Sequence, residues 1–461
     1  MADSSASPPV WVKERFRSLL SQNAIEDICR QVGHTSRRCL LSPAMTIWCC
    51  LEQVLRGNTS CDSVPLIAGL PVTGEAFCKA RMRLPLKVFE ELLKRFSAAV
   101  ASDCDTAPTW QGHRVWHMDG TGISMPDTPE LQRAFGQPGG QRPGCGFPVA
   151  HVMVLFHAAT GHLQKLIAAP LRTHDMSLAS QFHDQFRPGD VLVADRAFTS
   201  YAHLGMLAQC GVSAVFRVHQ RTIVNFRKGR PSADATTRQP AHKAGRSKKR
   251  AAKRPPNSRW VKWLGKLDQL VEYRKPTAKP QWMSDKDYQA LPATMTVREI
   301  KYELKQRGHR STTITLVTTL LDANKYSAES LAELYRQRWS VETNIRYLKT
   351  QMGMDVLRSK TEDGIRKELT CYAIVYNLIR SEMVDESIQR GLPVERLGFT
   401  SALQRMRYRT PQSPPSLLTV LPDRPNRQEP RVRKRRPKNF PLMKRPRQQL
   451  KQTLTGKRLT P

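Results

Sequence analysis

One helix-length stretch, residues 335–349, constrains this chain more than any other segment. It spaces Tyr335, Arg338, Glu342 and Lys349 as Y-x2-R-x3-E-x6-K. At 100° per residue, these four side chains fall at roughly 0°, 300°, 340° and 320° around one helix. The pattern predicts a packed helix that holds a carboxylate among cations, which suits a metal ion beside a phosphate backbone. The apolar stripe that would pack this helix consists of Leu334, Val341, Ile345, Leu348 and Met352.

The chain carries a large positive charge that is concentrated in two segments. Its 461 residues include 74 Lys and Arg against 39 Asp and Glu, a net charge of +35. Residues 217–262 contribute +14 and residues 405–461 contribute +15, so these segments hold 29 of the 35 charges. Pro and Gly interrupt the basic runs, unlike the amphipathic helices of membrane-surface proteins. The distribution favours a polyanionic partner, and the alternative is a solvated tail.

The cysteines and the apolar runs argue against several other classes of protein. Ten cysteines are scattered without a CxxC pair, so the sequence predicts neither a zinc site nor a disulfide framework and favours a reduced compartment. The N-terminal residues lack the apolar core of a signal peptide. No apolar run approaches the ~20 residues that a membrane helix needs. We therefore expect a cytoplasmic protein without a membrane segment.

Residues 10–105 show a helical pattern. Ser42 followed by Pro43 is typical of an N-cap and a first helical residue, and Gly57 is typical of a helix end. Pro85 opens a second helix. This region of the chain is predicted to be a small helical domain.

From Arg114 onward, short apolar runs replace the helical pattern. VWHMD and GISM are interpreted as two short strands, with turns at Gly120 and Gly122. Strands and helices then alternate, which predicts a mixed α/β layer fold. The predicted elements are strands at AHVMVLFHAA and HLQKLIAA, a helix at 175–186, a buried strand at DVLVAD, a helix at 199–210, a strand at VSAVFRV, and a strand pair at MTVREIKYEL and TTITLVTTLL.

Two further acids follow apolar runs of this region. Asp119 ends VWHMD and Asp195 ends DVLVAD. An aspartate at the end of a buried strand points into the crevice beside the sheet. Each one alone is better explained as a turn-forming residue, but together with Glu342 they favour a metal site. His117 shares a strand face with Asp119 and is expected to be packed or hydrogen-bonded, and Trp339 is expected to pack within its helix.

Three motifs carry a resemblance to a known family. Asp119-Gly-Thr, Asp195-Arg-Ala-Phe and the Y-x2-R-x3-E-x6-K stretch resemble the motifs of bacterial DDE transposases of the insertion-sequence-four family. GTGISMPDTPELQRAFG resembles the segment after the first aspartate of that family. The resemblance covers about Arg114 to Arg380. It implies a ribonuclease-H-like, mixed-sheet α/β catalytic core with an insertion between the second and third acids, next to an N-terminal helical domain.

The resemblance also implies roles for single residues. Asp119, Asp195 and Glu342 would be the catalytic acids and would bind two divalent ions, Mg²⁺ or Mn²⁺. Such ions can stabilise charge on both oxygens of a phosphodiester exchange. The predicted DNA-binding residues are Tyr335, Arg338, Arg346 and Lys349.

Together, these expectations describe a bacterial DNA transposase that is encoded by an insertion sequence. It would bind the terminal inverted repeats of that element and move the element by cut-and-paste transposition, through metal-dependent DNA cleavage and strand transfer. Its partners would be double-stranded DNA, as transposon ends and target, and a second copy of the chain. The alternatives are a ribonuclease-H-like nuclease without strand transfer and a catalytically silent DNA-binding protein. The predicted segments are a disordered 1–9, a helical DNA-end-binding domain at 10–105, a first catalytic-core segment at 110–218, a basic and partly disordered insertion at 219–310, a second catalytic-core segment at 311–400, and a basic tail at 401–461. The part of the tail beyond Pro411 is expected to be unfolded alone.

Overall fold

A computed structural model of the protein describes residues 7–36, 39–232, 256–304, 312–413, 416–422 and 443–455. The chain forms two compact units. The first comprises Met1–Ala107, Gly120–Thr173 and Glu342–Pro461, and the second comprises Pro108–Asp119 and His174–Val341. Much of the basic insertion, and residues 1–6 and 423–442 of the predicted disordered ends, lie outside the described residues.

Helices and strands alternate along the described chain much as the sequence predicts. The helices are α1 (Glu14–Arg17), α2 (Gln22–Gln31), α3 (Pro43–Leu55), α4 (Ser63–Ile67), α5 (Gly74–Arg83), α6 (Leu86–Thr106), α7 (Pro129–Phe135), α8 (Asp175–Ala179), α9 (Tyr201–Gln209), α10 (Asp285–Ala290), α11 (Ala328–Gln337), α12 (Trp339–Arg346), α13 (Glu362–Arg390), α14 (Phe399–Arg407) and α15 (Arg447–Thr455). The strands are β1 (Val115–Ser124), β2 (Val149–His157), β3 (Leu163–Pro170), β4 (Val191–Ala194), β5 (Ser213–Arg217), β6 (Arg259–Gly265), β7 (Asp268–Arg274), β8 (Thr294–Leu304) and β9 (Thr312–Thr318).

Helices of the N-terminal region begin and end at the predicted residues. The Ser42 hydroxyl accepts a hydrogen bond from the Met45 backbone N at 3.2 Å, and α3 begins at Pro43. Gly57, just beyond the end of α3, has φ +78°, a left-handed conformation that glycine adopts without strain. Helix α6 begins directly after Pro85. Local capping chemistry was therefore sufficient to place these boundaries.

The long helix α13 forms the core of the first unit. It packs against α3, α6 and β3, and most of its side chains are buried. Asn377 within it accepts from the Leu163 N and donates to the Leu163 O, both at 2.8 Å, so one amide satisfies both backbone groups where β3 begins. The N-terminal helices thus share a core with α13. The predicted domain limits remain a prediction.

The second unit contains a large mixed sheet. Its strand order is β1–β4–β5–β9–β8–β7–β6. Strands β1, β4 and β5 are parallel, and the later neighbours are antiparallel. Strand β4 is wholly apolar and buried, as expected of a strand that is covered on both faces. The predicted mixed α/β class and the β8–β9 pair are confirmed.

The predicted turns at Gly120 and Gly122 are wrong, because β1 is a single strand from Val115 to Ser124. Gly122 lies within the strand, where its lack of a side chain matters for packing. A Cβ atom there would lie 3.2 Å from Cγ1 of Val149, the first residue of β2, so glycine permits a close approach. The helix predicted at 175–186 is also shorter than expected, since α8 gives way to a 3-10 turn over Ser180–Gln185.

The stretch that contains the signature residues is not one regular helix. Helix α11 ends at Gln337, and tight i→i+3 hydrogen bonds on both sides of Arg338 join it to α12. A π-helix then spans Tyr347–Gln351. Both features depart from 100° per residue, so the predicted polar stripe is wrong as a projection on a single helix. The predicted apolar stripe is nevertheless buried, at Leu334, Val341, Ile345, Leu348 and Met352.

A short piece of the C-terminal tail is folded within the first unit. Arg447, at the start of α15, forms an ion pair with Asp127. Its guanidinium carbon lies 3.9 Å from the centre of the Phe147 ring. Residues of this piece therefore pack against other residues of the first unit, and the prediction that the tail is unfolded alone stays a prediction.

Candidate active site

Two of the predicted acids lie side by side on neighbouring parallel strands. Met118 of β1 pairs with Ala194 of β4, so Asp119 and Asp195 occupy the next position on each strand. Neighbouring strands are about 4.8 Å apart, and side chains at matching positions point to the same face of a sheet. The strand register therefore brings together two residues that are 76 positions apart in the sequence.

Two residues of the signature stretch contact this pair of carboxylates. Arg338 Nη1 lies 3.5 Å from Asp119 Oδ2, and the Tyr335 hydroxyl donates to Asp195 Oδ1 at 3.4 Å. Arg338 is only 7% exposed, so solvent screens its charge weakly. A buried cation at this position offsets the repulsion between two adjacent negative charges. The second unit thus holds a local arrangement of two acids, one cation and one hydroxyl.

Tyr335 is held as a neutral phenol. Burial raises the pKa of Tyr335 to about 12, and the charge of Asp195 acts in the same direction, while Arg338 opposes them. The hydroxyl therefore keeps its proton at physiological pH and can donate it in a hydrogen bond. A phenolate nucleophile, which a covalent tyrosine mechanism would require, is disfavoured here.

The other predicted site residues belong to the first unit. Glu342 is half-buried and Arg346 is exposed. Lys349 Nζ donates to Thr121 Oγ1 at 3.1 Å and to the Gly122 carbonyl oxygen at 2.8 Å. Lys349 thus contacts the stretch of β1 that follows Asp119 in sequence, a contact that spacing alone did not indicate.

The three predicted acids are divided between the two units. Asp119 and Asp195 belong to the second unit, whereas Glu342 is the first residue of the last segment of the first unit. Across the described ranges, no group of three or more His, Cys, Asp or Glu residues is positioned to hold a metal ion. The two aspartates are brought together by strand register, and the role of Glu342 stays a prediction.

Two neighbours of the signature residues differ from the sequence analysis, one in its role and one because it had no predicted role. His117 Nδ1 lies 2.9 Å from Ser340 Oγ, so this histidine is hydrogen-bonded as expected, but to a residue that had not been singled out. Trp339 was expected to pack and is instead 58% exposed. The Arg338 guanidinium carbon lies 5.9 Å from the centre of its ring. Both Trp339 and Ser340 follow the join between α11 and α12, where regular helical spacing is a poor guide.

Comparison with known proteins assigns this arrangement to a family. The family model described as "Transposase DDE domain" matches residues 110–378, which is more than half of the chain. The chain belongs to the DDE transposases. It is 24% identical over 438 residues to the transposase InsG for insertion sequence element IS4 of Escherichia coli K12, a match that covers 88% of each chain. A shorter segment of 89 residues is 35% identical to the transposase for insertion sequence element IS421 of Escherichia coli, covering 19% of this chain and 21% of that protein.

Among solved structures, the chain resembles the piggyBac transposase in a synaptic complex with hairpin DNA. The TM-score is 0.41 and the sequence identity 11%, over 85% of this chain and 78% of that one. The strand order and the family match, and not this likeness, establish the fold.

The family assignment confirms the prediction of an insertion-sequence DNA transposase of the insertion-sequence-four type, and the strand order confirms a mixed-sheet α/β core. The transposase acts on DNA by metal-dependent cleavage and strand transfer, and its family uses divalent metal ions. In the described residues of the transposase, we find no helix whose length and hydropathy would let it cross a bilayer.

Proposed function

We propose that this transposase moves its insertion sequence by a cut-and-paste reaction in which Asp119, Asp195 and Glu342 hold two divalent ions, Mg²⁺ or Mn²⁺. The pairing of Met118 with Ala194 carries the proposal, because it places two carboxylates at matching positions. Carboxylate oxygens are the hard ligands that both ions prefer. The donor set therefore fits such ions.

Glu342 is the best candidate for the third ligand because of its place in the chain. It follows Arg338 by four residues, and Arg338 contacts Asp119. Together with Asp119 and Asp195, its carboxylate would supply the third acid that holds the two ions. This proposal predicts that Glu342 is essential even though its carboxylate does not belong to the local arrangement in the second unit.

Bound divalent ions would supply charge stabilisation for the attacking and leaving oxygens of the phosphodiester. The side chains around them would orient the DNA. Arg338 would exchange its contact with Asp119 for a phosphate once the carboxylates are neutralised, and Tyr335 would donate its hydroxyl hydrogen to a phosphate oxygen. Lys349 and the exposed Arg346 would fix the DNA backbone, which positions the substrate without reading its sequence.

The rest of the chain would bind the two ends of the element. We assign recognition of the terminal inverted repeats to the helical residues 10–105 and sequence-independent backbone contact to the basic segments, whose charge suits phosphate binding. A dimer on paired ends would supply one set of catalytic residues for each end. The site of action would be the nucleoid in the bacterial cytoplasm.

A strand-transfer assay with pre-cleaved transposon ends tests the proposal. We expect Glu342→Gln to lose both cleavage of intact ends and joining of pre-cleaved ends, while DNA binding is retained. Glu333→Gln is the matched control, since Glu333 lies on α11, just before this stretch, and pairs with Arg336. Near-normal joining by the Glu342 variant would remove this residue from the site, and cleavage without any joined product from the unaltered protein would indicate a nuclease.

A further inference from the structure

A half-buried and a fully buried histidine stack near the turn that follows Asp195. The rings of His183 and His203 are nearly parallel, at 4°, with centroids 5.2 Å apart. Phe216 of β5 covers the other face of His203, at 5.5 Å and 15°. His203 is fully buried, and neither histidine has a role in the chemistry described above.

One hydrogen bond ties His203 to the Asp195 turn, and a second ties it to Ser200, which caps α9. Its Nδ1 lies 2.9 Å from the Phe198 carbonyl oxygen, and its backbone N donates to Ser200 Oγ at 3.1 Å. The Phe198 backbone N in turn donates to the Asp195 carbonyl oxygen at 3.1 Å. The 3-10 turn Arg196–Phe198 is thus bonded to Asp195 at its start and to His203 at its end.

The ring of His203 carries its single proton on Nδ1. Burial lowers the pKa of His203 to about 3, and the neighbouring His183 acts in the same direction. A neutral imidazole has one N–H, and a carbonyl oxygen can only accept, so the proton lies on Nδ1. Among the described residues, His203 Nε2 has no hydrogen-bond partner. A phenylalanine could fill the space and stack in the same way, so the Nδ1–H donor is the property that requires a histidine.

We propose that His203 is a positioning residue for Asp195. Its Nδ1–H holds the far end of the turn and thereby fixes the direction in which the Asp195 carboxylate meets a divalent metal ion. The inference depends on the proposed role of Asp195 as a metal ligand. Groups that hydrogen-bond a metal ligand directly typically change metal affinity about 10–100-fold when they are removed, and His203 acts through the turn, so we expect the lower end of that range.

Three variants separate positioning from packing. His203→Phe keeps a stacked ring and removes the donor, whereas His203→Asn places an amide N–H near the position of Nδ1. His183→Phe is the matched control, because it alters the same stack without altering the hydrogen bond to Phe198. Binding of Mn²⁺ alone, followed by electron paramagnetic resonance on the transposase bound to end DNA, is the first readout, and the melting temperature and DNA affinity are measured beside it.

We expect His203→Phe to weaken Mn²⁺ binding about tenfold or more, with DNA affinity unchanged within about twofold. His203→Asn should recover most of that loss, and His183→Phe should bind Mn²⁺ normally. Equal losses in the Phe and Asn variants, or normal Mn²⁺ binding by the Phe variant, would overturn the inference.

Two further measurements keep the outcome decisive. Asp195→Asn should abolish Mn²⁺ binding, and if it does not, the proposed function and this inference both fail. If Asp195→Asn loses the metal while His203→Phe retains it, only the inference fails. Should the Phe variant not fold, ¹⁵N spectra of histidine-labelled unaltered protein decide, because a His203 proton on Nε2 instead of Nδ1 would overturn the inference.

Discussion

The two ends of strand β4 each carry an aspartate, and the two have opposite surroundings. Asp190, before the strand, is 2% exposed and accepts four hydrogen bonds. Two come from the Arg114 guanidinium, one from Trp116 Nε1 and one from the Arg187 backbone N, all at 2.8–2.9 Å. Asp195, after the strand, receives the Tyr335 hydroxyl at 3.4 Å, which is long for an O–H···O hydrogen bond.

This difference separates an acid that stabilises the fold from one that is suited to chemistry. The oxygens of Asp190 accept strong hydrogen bonds, two of them charge-assisted, and a metal ion could bind there only by displacing the donors. Asp195 has a weak contact and an acidic neighbour at the matching position of β1. Two adjacent carboxylates repel each other, and the single positive charge of Arg338 beside Asp119 offsets only one of their two charges, so a divalent cation would stabilise the pair further.

The largest expected effect is on activity at the Asp195 end. Asp195→Asn and Asp119→Asn should each lower the rate of DNA cleavage with Mg²⁺ by more than about 100-fold, because a lost metal ligand should cost more than a lost outer partner. DNA binding, measured by gel shift, should remain within a few-fold of normal. A variant that still cleaves at a near-normal rate would place that aspartate in the same class as Asp190.

The next effect is on stability at the Asp190 end. Asp190→Ala leaves the largely buried Arg114 guanidinium without its carboxylate, so we expect a loss of about 3 kcal/mol in the free energy of unfolding. Denaturant unfolding measures this loss. Asp195→Asn should unfold at nearly the same denaturant concentration as the unaltered protein, and a comparable loss in both variants would erase the distinction between the two ends.

The cations beside the two acids extend the comparison to DNA binding. Arg338→Ala should reduce the slope of log affinity against log salt by about 0.9, as the loss of one phosphate contact does on duplex DNA. Arg114→Ala should leave the slope unchanged, because the Arg114 guanidinium is already paired with the Asp190 carboxylate. Titrations of end DNA between low and physiological salt measure both slopes. The same reduction in both would mean that the Arg338 contact is not a phosphate contact.

The smallest effect concerns pH. Burial lowers the pKa of His183 to about 4, so His183 stays neutral in the folded state while the unfolded chain binds a proton below pH 6.5. The stability that depends on the neutral ring is present above pH 6.5 and is lost as the pH falls toward 4. His183→Phe should flatten the fall in unfolding free energy over this range by up to about 1.4 kcal/mol per pH unit. If the free energy of unfolding falls with pH equally steeply in the variant and in the unaltered protein, this prediction is wrong.

Local features of the fold could be predicted because they depend on nearby residues. Ser42 and Pro43 start a helix through capping and a fixed φ angle, and the apolar run of β4 identifies a buried central strand. The turns predicted at Gly120 and Gly122 failed for a nonlocal reason. Gly122 is small because Val149 lies against it, and a contact with a residue 27 positions away leaves no periodic signal.

The candidate site was predicted in composition but not in arrangement. The residue types of Asp119, Asp195, Tyr335 and Arg338 could be identified from motifs, yet the pairing of Met118 with Ala194 depends on strand register, which the sequence does not state. The contact of Arg338 with Asp119 depends further on the join between α11 and α12. His203 gave no signal, because one histidine in an apolar helix resembles any packed aromatic residue.

The shared register of β1 and β4 also limits how such genes can change in length. Adding or deleting one residue within 115–118 or 191–194 would turn the next carboxylate to the opposite face of the sheet. Insertions that keep the two carboxylates together must therefore lie outside these two short runs of residues. Both highly basic segments obey that limit, since one begins at the end of β5 and the other at the end of α14. Related elements can therefore acquire or lose DNA-binding extensions while the pair of aspartates stays in place.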